Sequence, residues 1–341
     1  MLSAVVSRSG IFRNWNALYL ENAHVCVVVI PQLGGKIVSI QSRASGREFL
    51  WQDETRPYRS QRYGDEFGNY DISGFDECFP SIGACNYPDY PWADVAIPDH
   101  GELWCIPWQS ELTDSTIYVH AYGIHFPYHF EKWITLGSDA ASFEISYRIS
   151  NLSPFEFKYM WSAHPLFAAQ EGMRIVLPSD PEVRFAFALG NRISGEFLQK
   201  YRWSMLPEPS GGLVDYSLIG SVALDANDKV YANAPAEGWC ALHEPQSGDF
   251  LAILFSPEKT PFVGICIDHG GWPFEGIPGY WVALEPCTGC PDRLDQAIAG
   301  DEHKTLAGYG SAEWSLRVHL GQADSAETIS QIMMEQGRRV G

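Results

Sequence analysis

Short segments in which apolar and polar residues alternate run through the chain, and glycine or proline ends most of them. Residues 143–149 and 314–320 alternate with period two, which is the pattern of half-buried β-strands. Residues 24–30 are rich in β-branched side chains and stop at Pro31. Short strands separated by frequent turns predict an all-β fold, an antiparallel sandwich with little helix.

No repeat, charge block or low-complexity linker divides the sequence. We therefore predict one β-domain over residues 1–322, followed by a short C-terminal helix and tail over residues 323–341. Asp324 and Glu327 form a capping-box pattern at the start of that helix. Residues 52–98 are rich in Asp, Tyr, Pro and Gly and are interpreted as long loops, which often carry function on a rigid sheet.

Charge and cysteine usage limit the partners and the compartment. The net charge of -19 argues against nucleic acid and against an anionic membrane surface. No apolar run approaches the roughly 18–20 residues that span a bilayer, and the first twelve residues lack a signal-peptide pattern. Eight cysteines are scattered along the chain, so we expect reduced thiols in a cytoplasmic protein.

Several catalytic classes lack their motifs in this sequence. There is no GxSxG elbow and no glycine-rich phosphate loop. Cys287 and Cys290 form a CxxC pair, but a structural zinc would need a second such pair. His125 and His129 have the spacing of helical zinc ligands, yet their flanks are strand-like and contain Pro127. We expect no metal site and no cofactor.

Ionisable residues and turn glycines occur together in four segments. Glu285 ends an apolar strand, where it is either a solvated terminus or a pocketed general base. His164 follows an aromatic strand and is compatible with a structural role. His100 lies in an Asp-His-Gly turn, where a hydrogen bond with Asp99 is a local alternative to function. Asp228 fits a turn equally well. The four segments are residues 73–80, 98–104, 161–167 and 281–289.

Taken in order, these segments resemble the galactose mutarotase-like superfamily, which includes the aldose 1-epimerases. The resemblance covers about residues 20–320 and implies a β-supersandwich, in which two large antiparallel sheets pack face to face around a concave sugar site. The matching motifs are a sheet turn at 31–37, a Phe-Pro segment at 73–80, a His-Gly motif at 99–101, a His-x-x-Phe segment at 164–167, an Asp-x-Val-Tyr motif at 228–231 and the strand of the essential glutamate at 284–286.

The resemblance implies a role for each of these residues in an isomerase of carbohydrate metabolism. Glu285 would be the general base that takes the anomeric proton, and His164 the general acid that protonates the ring oxygen. His100 and Asp228 would bind hydroxyls, although the sequence does not decide which histidine is the principal acid. Only protons move, so no cofactor is implied. The expected partner is a small-molecule carbohydrate, and a homodimer is compatible with the family.

The chain departs from the family pattern at two places. Members that act on sugar phosphates have an arginine soon after the His-Gly motif, where this chain has Glu102, which disfavours an anionic sugar. Asp76 and Glu77 stand where the aldose 1-epimerases have Asn-Arg, and they suit a neutral, hydroxyl-rich ligand. Trp272 is either a stacking platform for a sugar or a turn residue that covers the core.

Two other function classes stay open. A carbohydrate-binding or sugar-sensing protein could use the same fold without turnover. A hydrolase or lyase would need a second carboxylate near Glu285. Adjacent carboxylates such as Asp76 and Glu77 do not meet that need, because neighbours on a strand point to opposite faces.

Overall fold

The computed structural model describes residues 5–273 and 279–337, and antiparallel strands dominate it. Its α-helices are short, Leu294–Ala299 and Ala326–Gly337. The predicted all-β class with little helix is confirmed. No helix in these two ranges is long and apolar enough to cross a membrane.

The chain divides into two compact units. Of the described residues, the first contains 5–165 and 287–317, and the second contains 166–273, 279–286 and 318–337. Three strands contain residues of both units: Ser162–Ala168, Tyr280–Cys287 and Ser311–Gln322.

Two antiparallel sheets form the first unit. One begins with the strands Val6–Phe12, Trp15–Glu21, Val25–Ile30, Lys36–Ser42 and Phe75–Cys78, which are neighbours in this order. The other contains Gln109–Leu112, Thr116–Tyr122, Tyr128–Leu136 and Ser142–Asn151. Val25–Ile30 is buried at all six positions, as its run of β-branched residues predicts. The short strands are Cys85–Asn86, Ala96–Ile97, Phe157–Tyr159 and Lys304–Leu306.

The second unit is built on a sheet with the strand order Tyr280–Cys287, Phe262–His269, Ala226–Asn233, Glu182–Leu189 and Lys200–Arg202. A second group of paired strands is Arg174–Val176, Trp239–His243 and Asp249–Phe255. Met205–Pro207 and Leu213–Asp215 form a separate two-stranded ribbon. Almost every residue of the first three of these strands is buried, so the polar side chains on them must find partners inside the protein.

The helix Ala326–Gly337 lies in the predicted C-terminal segment and packs on the second unit. Ile329 and Met333 are four residues apart and face the same cluster, which includes Trp239 and Phe250. Ser325, rather than the predicted Asp324, caps the helix, because the Ser325 hydroxyl accepts a hydrogen bond from the backbone N–H of Thr328.

The docking of this helix can be tested with two neighbouring methionines. Met333 is 1% exposed and Met334 is 51% exposed. We expect Met333→Ala to lower the free energy of unfolding by about 2–5 kcal/mol, because it leaves a cavity. Met334→Ala is the matched control and should change it by less than about 0.5 kcal/mol. Equal effects of the two substitutions in chemical denaturation would contradict this packing.

Candidate functional site

Strand pairing in the first unit sorts the predicted residues onto two faces. Ser162–Ala168 pairs antiparallel with Phe75–Cys78, so that His164 lies opposite Asp76 and Ser162 lies opposite Cys78. Directly paired residues share a face, and successive residues alternate. Asp76, Cys78 and His164 therefore project from one face of the sheet, whereas Glu77 projects from the other.

A second imidazole, that of His100, joins His164 on this face. The two ring centroids are 4.8 Å apart with an edge-to-face geometry. The ring of Phe67 stacks on His100 at 4.3 Å and meets His164 edge-on at 5.3 Å, so it contacts both imidazoles. The structure therefore brings together two of the predicted site residues.

The Asp99–His100 turn is held by hydrogen bonds on both sides. His100 Nδ1 lies 2.9 Å from Asp99 Oδ1, and Asp99 Oδ2 accepts a hydrogen bond from the Phe67 backbone. Burial alone would raise the pKa of Asp99, but the neighbouring His100 and these hydrogen bonds lower it. Gly101 is required here, because its φ is +75° and a Cβ would lie 2.1 Å from the carbonyl oxygen of Phe79. The local hydrogen bond considered from the sequence exists, and it also orients the His100 ring.

Asp76 is buried beside a lysine. Lys36 Nζ lies 3.1 Å from Asp76 Oδ2 and 2.7 Å from Asp71 Oδ2. Burial raises the pKa of Asp76 to about 6, and the Lys36 ammonium limits that rise. Two carboxylates thus share one buried ammonium group on the face of His164.

The Glu77 side chain faces the opposite sheet of the first unit, and three protein groups donate hydrogen bonds to its carboxylate. Its carboxylate accepts hydrogen bonds from Lys132 Nζ, the Tyr147 hydroxyl and Trp161 Nε1, at 2.8–3.1 Å. Burial raises the pKa of Glu77, and the Lys132 charge opposes the rise. These bonds give Glu77 a structural role between the two sheets, and its predicted contact with substrate stays a prediction.

Glu102 also engages protein groups. Its buried carboxylate accepts hydrogen bonds from the Tyr63 hydroxyl and from the backbone N–H groups of Ile124 and His125. It therefore anchors two loops, and its effect on the binding of anionic sugars stays a prediction.

In the second unit, Glu285 forms a buried ion pair. Lys229 Nζ lies 2.8 Å from Glu285 Oε2, and both side chains are at most 5% exposed. Gly264 on the adjacent strand makes room, because a Cβ there would lie 2.7 Å from the same oxygen. The ammonium stabilises the charged carboxylate. Glu285 is therefore buried, and it is not the solvated strand terminus that the sequence also allows.

Asp228 does not share a surface with Glu285. It precedes Lys229 on the strand Ala226–Asn233, and so it projects from the opposite face of the same sheet. Arg192 is its buried partner, with Nη1 3.6 Å from Oδ2. Burial raises the pKa of Asp228 to about 7, and Arg192 partly opposes the rise. Asp228 is therefore a buried strand residue and not the turn residue considered from the sequence, and hydroxyl binding by Asp228 stays a prediction.

Asp268 is the polar residue on the Glu285 face that sequence reasoning missed. It lies opposite Asn227 in the strand register, on the face that carries Lys229. Its Oδ1 accepts hydrogen bonds from the backbone N–H groups of Gly271 and Trp272, whereas its buried Oδ2 has no hydrogen-bond partner among the described residues. Burial raises the pKa of Asp268 to about 8, so the neutral acid predominates at pH 7.

Two tryptophans lie beside Asp268. Trp281 Nε1 is buried and has no hydrogen-bond partner in the described part of the chain. A Cβ on Gly279 would lie within 2.5 Å of both Trp281 Nε1 and Asp268 Oδ2, so the two polar atoms border the same small space. The Trp272 ring meets Trp281 edge-on at 6.4 Å. Trp272 thus lies near a polar group, and its stacking role stays a prediction.

The sequence contains one signal that could have identified Asp268. It is a single acidic residue directly after the apolar run 262–267.

Comparison with solved structures identifies the fold. A putative aldose 1-epimerase from Klebsiella pneumoniae subsp. pneumoniae MGH 78578 superposes with a TM-score of 0.68 at 12% identity, over 95% of this chain and 83% of that one. A galactose mutarotase-like protein from Lactobacillus casei ATCC 334 gives 0.63 at 16% identity, over 89% and 100%. A galactose mutarotase-like protein from Clostridium acetobutylicum gives 0.64 at 14% identity, over 94% and 99%. The chain has the galactose mutarotase-like fold, as the sequence motifs predict.

At the level of sequence families, the match is to a domain without an assigned function. The chain belongs to the family described as "Domain of unknown function (DUF5107)", which matches residues 4–175.

The raised pKa of Asp268 predicts a pH-dependent loss of stability. The unfolded aspartate ionises near pH 4, whereas the folded one ionises near pH 8, so unfolding releases a proton between these values. Stability should fall as pH rises through this window, by up to about 1.4 kcal/mol per pH unit from this group. We expect Asp268→Asn to remove that slope in unfolding measured from pH 5 to 8. The exposed Asp324→Asn is the control, and an unchanged slope in Asp268→Asn would contradict the assignment.

The Lys229–Glu285 pair can be tested with a double-mutant cycle. We expect Lys229→Met to lower the free energy of unfolding by about 3–5 kcal/mol, because it leaves Glu285 buried without its ammonium partner. The double variant Lys229→Met/Glu285→Gln should recover most of that loss, since no buried charge remains. Additive losses in chemical denaturation would show that the two groups are not coupled.

Proposed function

We propose that this protein is an aldose 1-epimerase-like mutarotase, which interconverts the α and β anomers of a free sugar. The observation that carries the proposal is Glu285, a carboxylate buried on a strand beside the Lys229 ammonium, which favours the charged form. The charged form is the one from which a general base starts. The fold shared with proteins named as mutarotase-like and as putative aldose 1-epimerases supports the same reaction.

The proposed reaction conserves protons. Glu285 takes the proton of the anomeric hydroxyl, and His164 gives a proton to the ring oxygen as the C1–O5 bond breaks. The open-chain aldehyde turns about C1–C2, and the two protons return as the ring closes on the other face. His100, oriented by Asp99, binds a hydroxyl. These roles are those that the family resemblance implies for the residues.

The charge balance supports a neutral sugar as the substrate. Each fully buried lysine or arginine among the described residues has a carboxylate partner. No buried cation in these ranges is therefore left to neutralise a phosphate group, which needs strong charge-assisted donors. The pairs are Lys36 with Asp71 and Asp76, Lys132 with Glu77, Arg192 with Asp228, and Lys229 with Glu285.

One observation favours the second candidate, a sugar-binding protein without turnover. The Lys229 ammonium that stabilises the charged carboxylate also opposes its protonation, which a general base must undergo. Saturable binding without anomer exchange would identify this function.

Glycoside hydrolysis fits the second unit poorly. Asp268 is a second carboxylate on the Glu285 face, but it lies four strand positions beyond Gly264, the neighbour of Glu285. At about 3.3 Å per residue this separates the backbone positions of Gly264 and Asp268 by roughly 13 Å along the strand. Paired glycosidase carboxylates are about 5–9.5 Å apart.

Substitution of the two proposed proton-transfer groups tests the mutarotase directly. We expect Glu285→Gln and His164→Ala each to slow anomer exchange by about 10²–10⁴-fold, because each removes one proton-transfer group. The rate is measured by NMR saturation transfer between the anomers of the substrate.

The exposed His24→Ala should leave the rate unchanged and serves as the control. Wild-type rates in both Glu285→Gln and His164→Ala, with both variants folded, would rule out these two residues as the base and the acid.

A further inference from the structure

We propose that Cys78, His100 and His164 form a binding site for a divalent cation of the zinc type. One ligand-capable atom from each of these three residues lies within 4.8 Å of the other two. A thiolate and two imidazoles are the donor set that zinc and its thiophilic neighbours prefer. The site lies in the first unit, and it departs from the expectation of no metal that the sequence alone supports.

The spacing requires only a small closure around an ion. With bond lengths of about 2.0–2.3 Å, a tetrahedral zinc holds sulfur and nitrogen ligands roughly 3.3–3.6 Å apart. Atoms within 4.8 Å of one another would therefore approach by about 1.5 Å at most. Cys78 and His164 share one face because of the strand register, so side-chain rotations can supply this movement without a change in strand pairing.

A carboxylate already supports one of the three ligands. His100 Nδ1 lies 2.9 Å from Asp99 Oδ1, so Nε2 is the ring nitrogen that would bind the metal. Metal-binding histidines usually donate their other ring N–H to such a carboxylate, which fixes the ring and strengthens the ligand. The stacked Phe67 ring restricts His100 further.

The charges around the three ligands favour a cation. Asp76 lies opposite His164 in the strand register, and it shares the Lys36 ammonium with Asp71. Asp99 adds a further carboxylate through its contact with His100. Carboxylates beside the ligands favour a bound cation.

The three residues leave a fourth tetrahedral position for water or for a substrate oxygen. A cation on His164 would compete with the proton that this residue carries in the proposed reaction. We therefore expect the cation to inhibit anomer exchange, and this consequence alone rests on the proposed function. Binding of the cation does not depend on any activity.

The test is cobalt binding to the untagged, full-length protein after treatment with a chelator. We expect one equivalent of Co²⁺ to give a thiolate-to-cobalt charge-transfer band and intense visible absorption, both removed by Zn²⁺. X-ray absorption of the wild-type zinc complex should show one sulfur at about 2.3 Å and two imidazole nitrogens at about 2.0 Å. No sugar is present, so failure here would leave the mutarotase proposal intact.

Variants locate the site. Cys78→Ser should lose the charge-transfer band, and Asp99→Asn should weaken cobalt binding about 10–100-fold. Cys105→Ser, at another buried cysteine of the first unit, is the matched control and should keep the band. A wild-type complex without sulfur, or a band that survives Cys78→Ser and disappears in Cys290→Ser, would overturn the proposal.

Discussion

The pairing of buried charges is the constraint on which the sheets of both units depend. Among the described residues, four buried lysine or arginine side chains lie on or beside buried strands, and each contacts at least one carboxylate. A buried ion without its partner costs several kcal/mol, so these contacts determine which side chains the neighbouring strands can carry. Gly264 illustrates the point, because a side chain there would displace the Glu285 carboxylate from Lys229. The same pairing leaves none of these four cations without a carboxylate partner.

Strand alternation then decides which carboxylates can act together. Asp76 and Glu77 are neighbours in sequence, yet one lies on the His164 face and the other binds the facing sheet. Asp228 and Lys229 separate in the same way, and only Lys229 reaches Glu285. A motif that is continuous in sequence therefore contributes side chains to both faces of its sheet.

The sequence was sufficient for the fold class and insufficient for the placement of the site. Alternation and turn residues predicted the strands, and the ordered motifs predicted the mutarotase-like fold. The proximity of His100 and His164 follows from strand pairing and a loop, which periodicity does not specify. Asp268 was missed because the apolar run before it does not show on which face of the sheet its side chain lies. That face follows only from the pairing of Asp268 with Asn227. Asp and Ser are both common N-cap residues, so the sequence pattern does not place the cap to within one residue. The structure has Ser325, and not Asp324, as the helix cap.

Because the buried cations have carboxylate partners, we expect the protein to act on a neutral sugar and not on a sugar phosphate. The most direct measurement is the rate of anomer exchange, followed by NMR saturation transfer, for a panel of free aldoses and for the 6-phosphate of each hexose in the panel. We predict that the wild-type protein accelerates exchange of at least one free aldose and leaves its phosphate at the buffer rate. Faster exchange of a sugar phosphate than of the parent sugar would contradict the account.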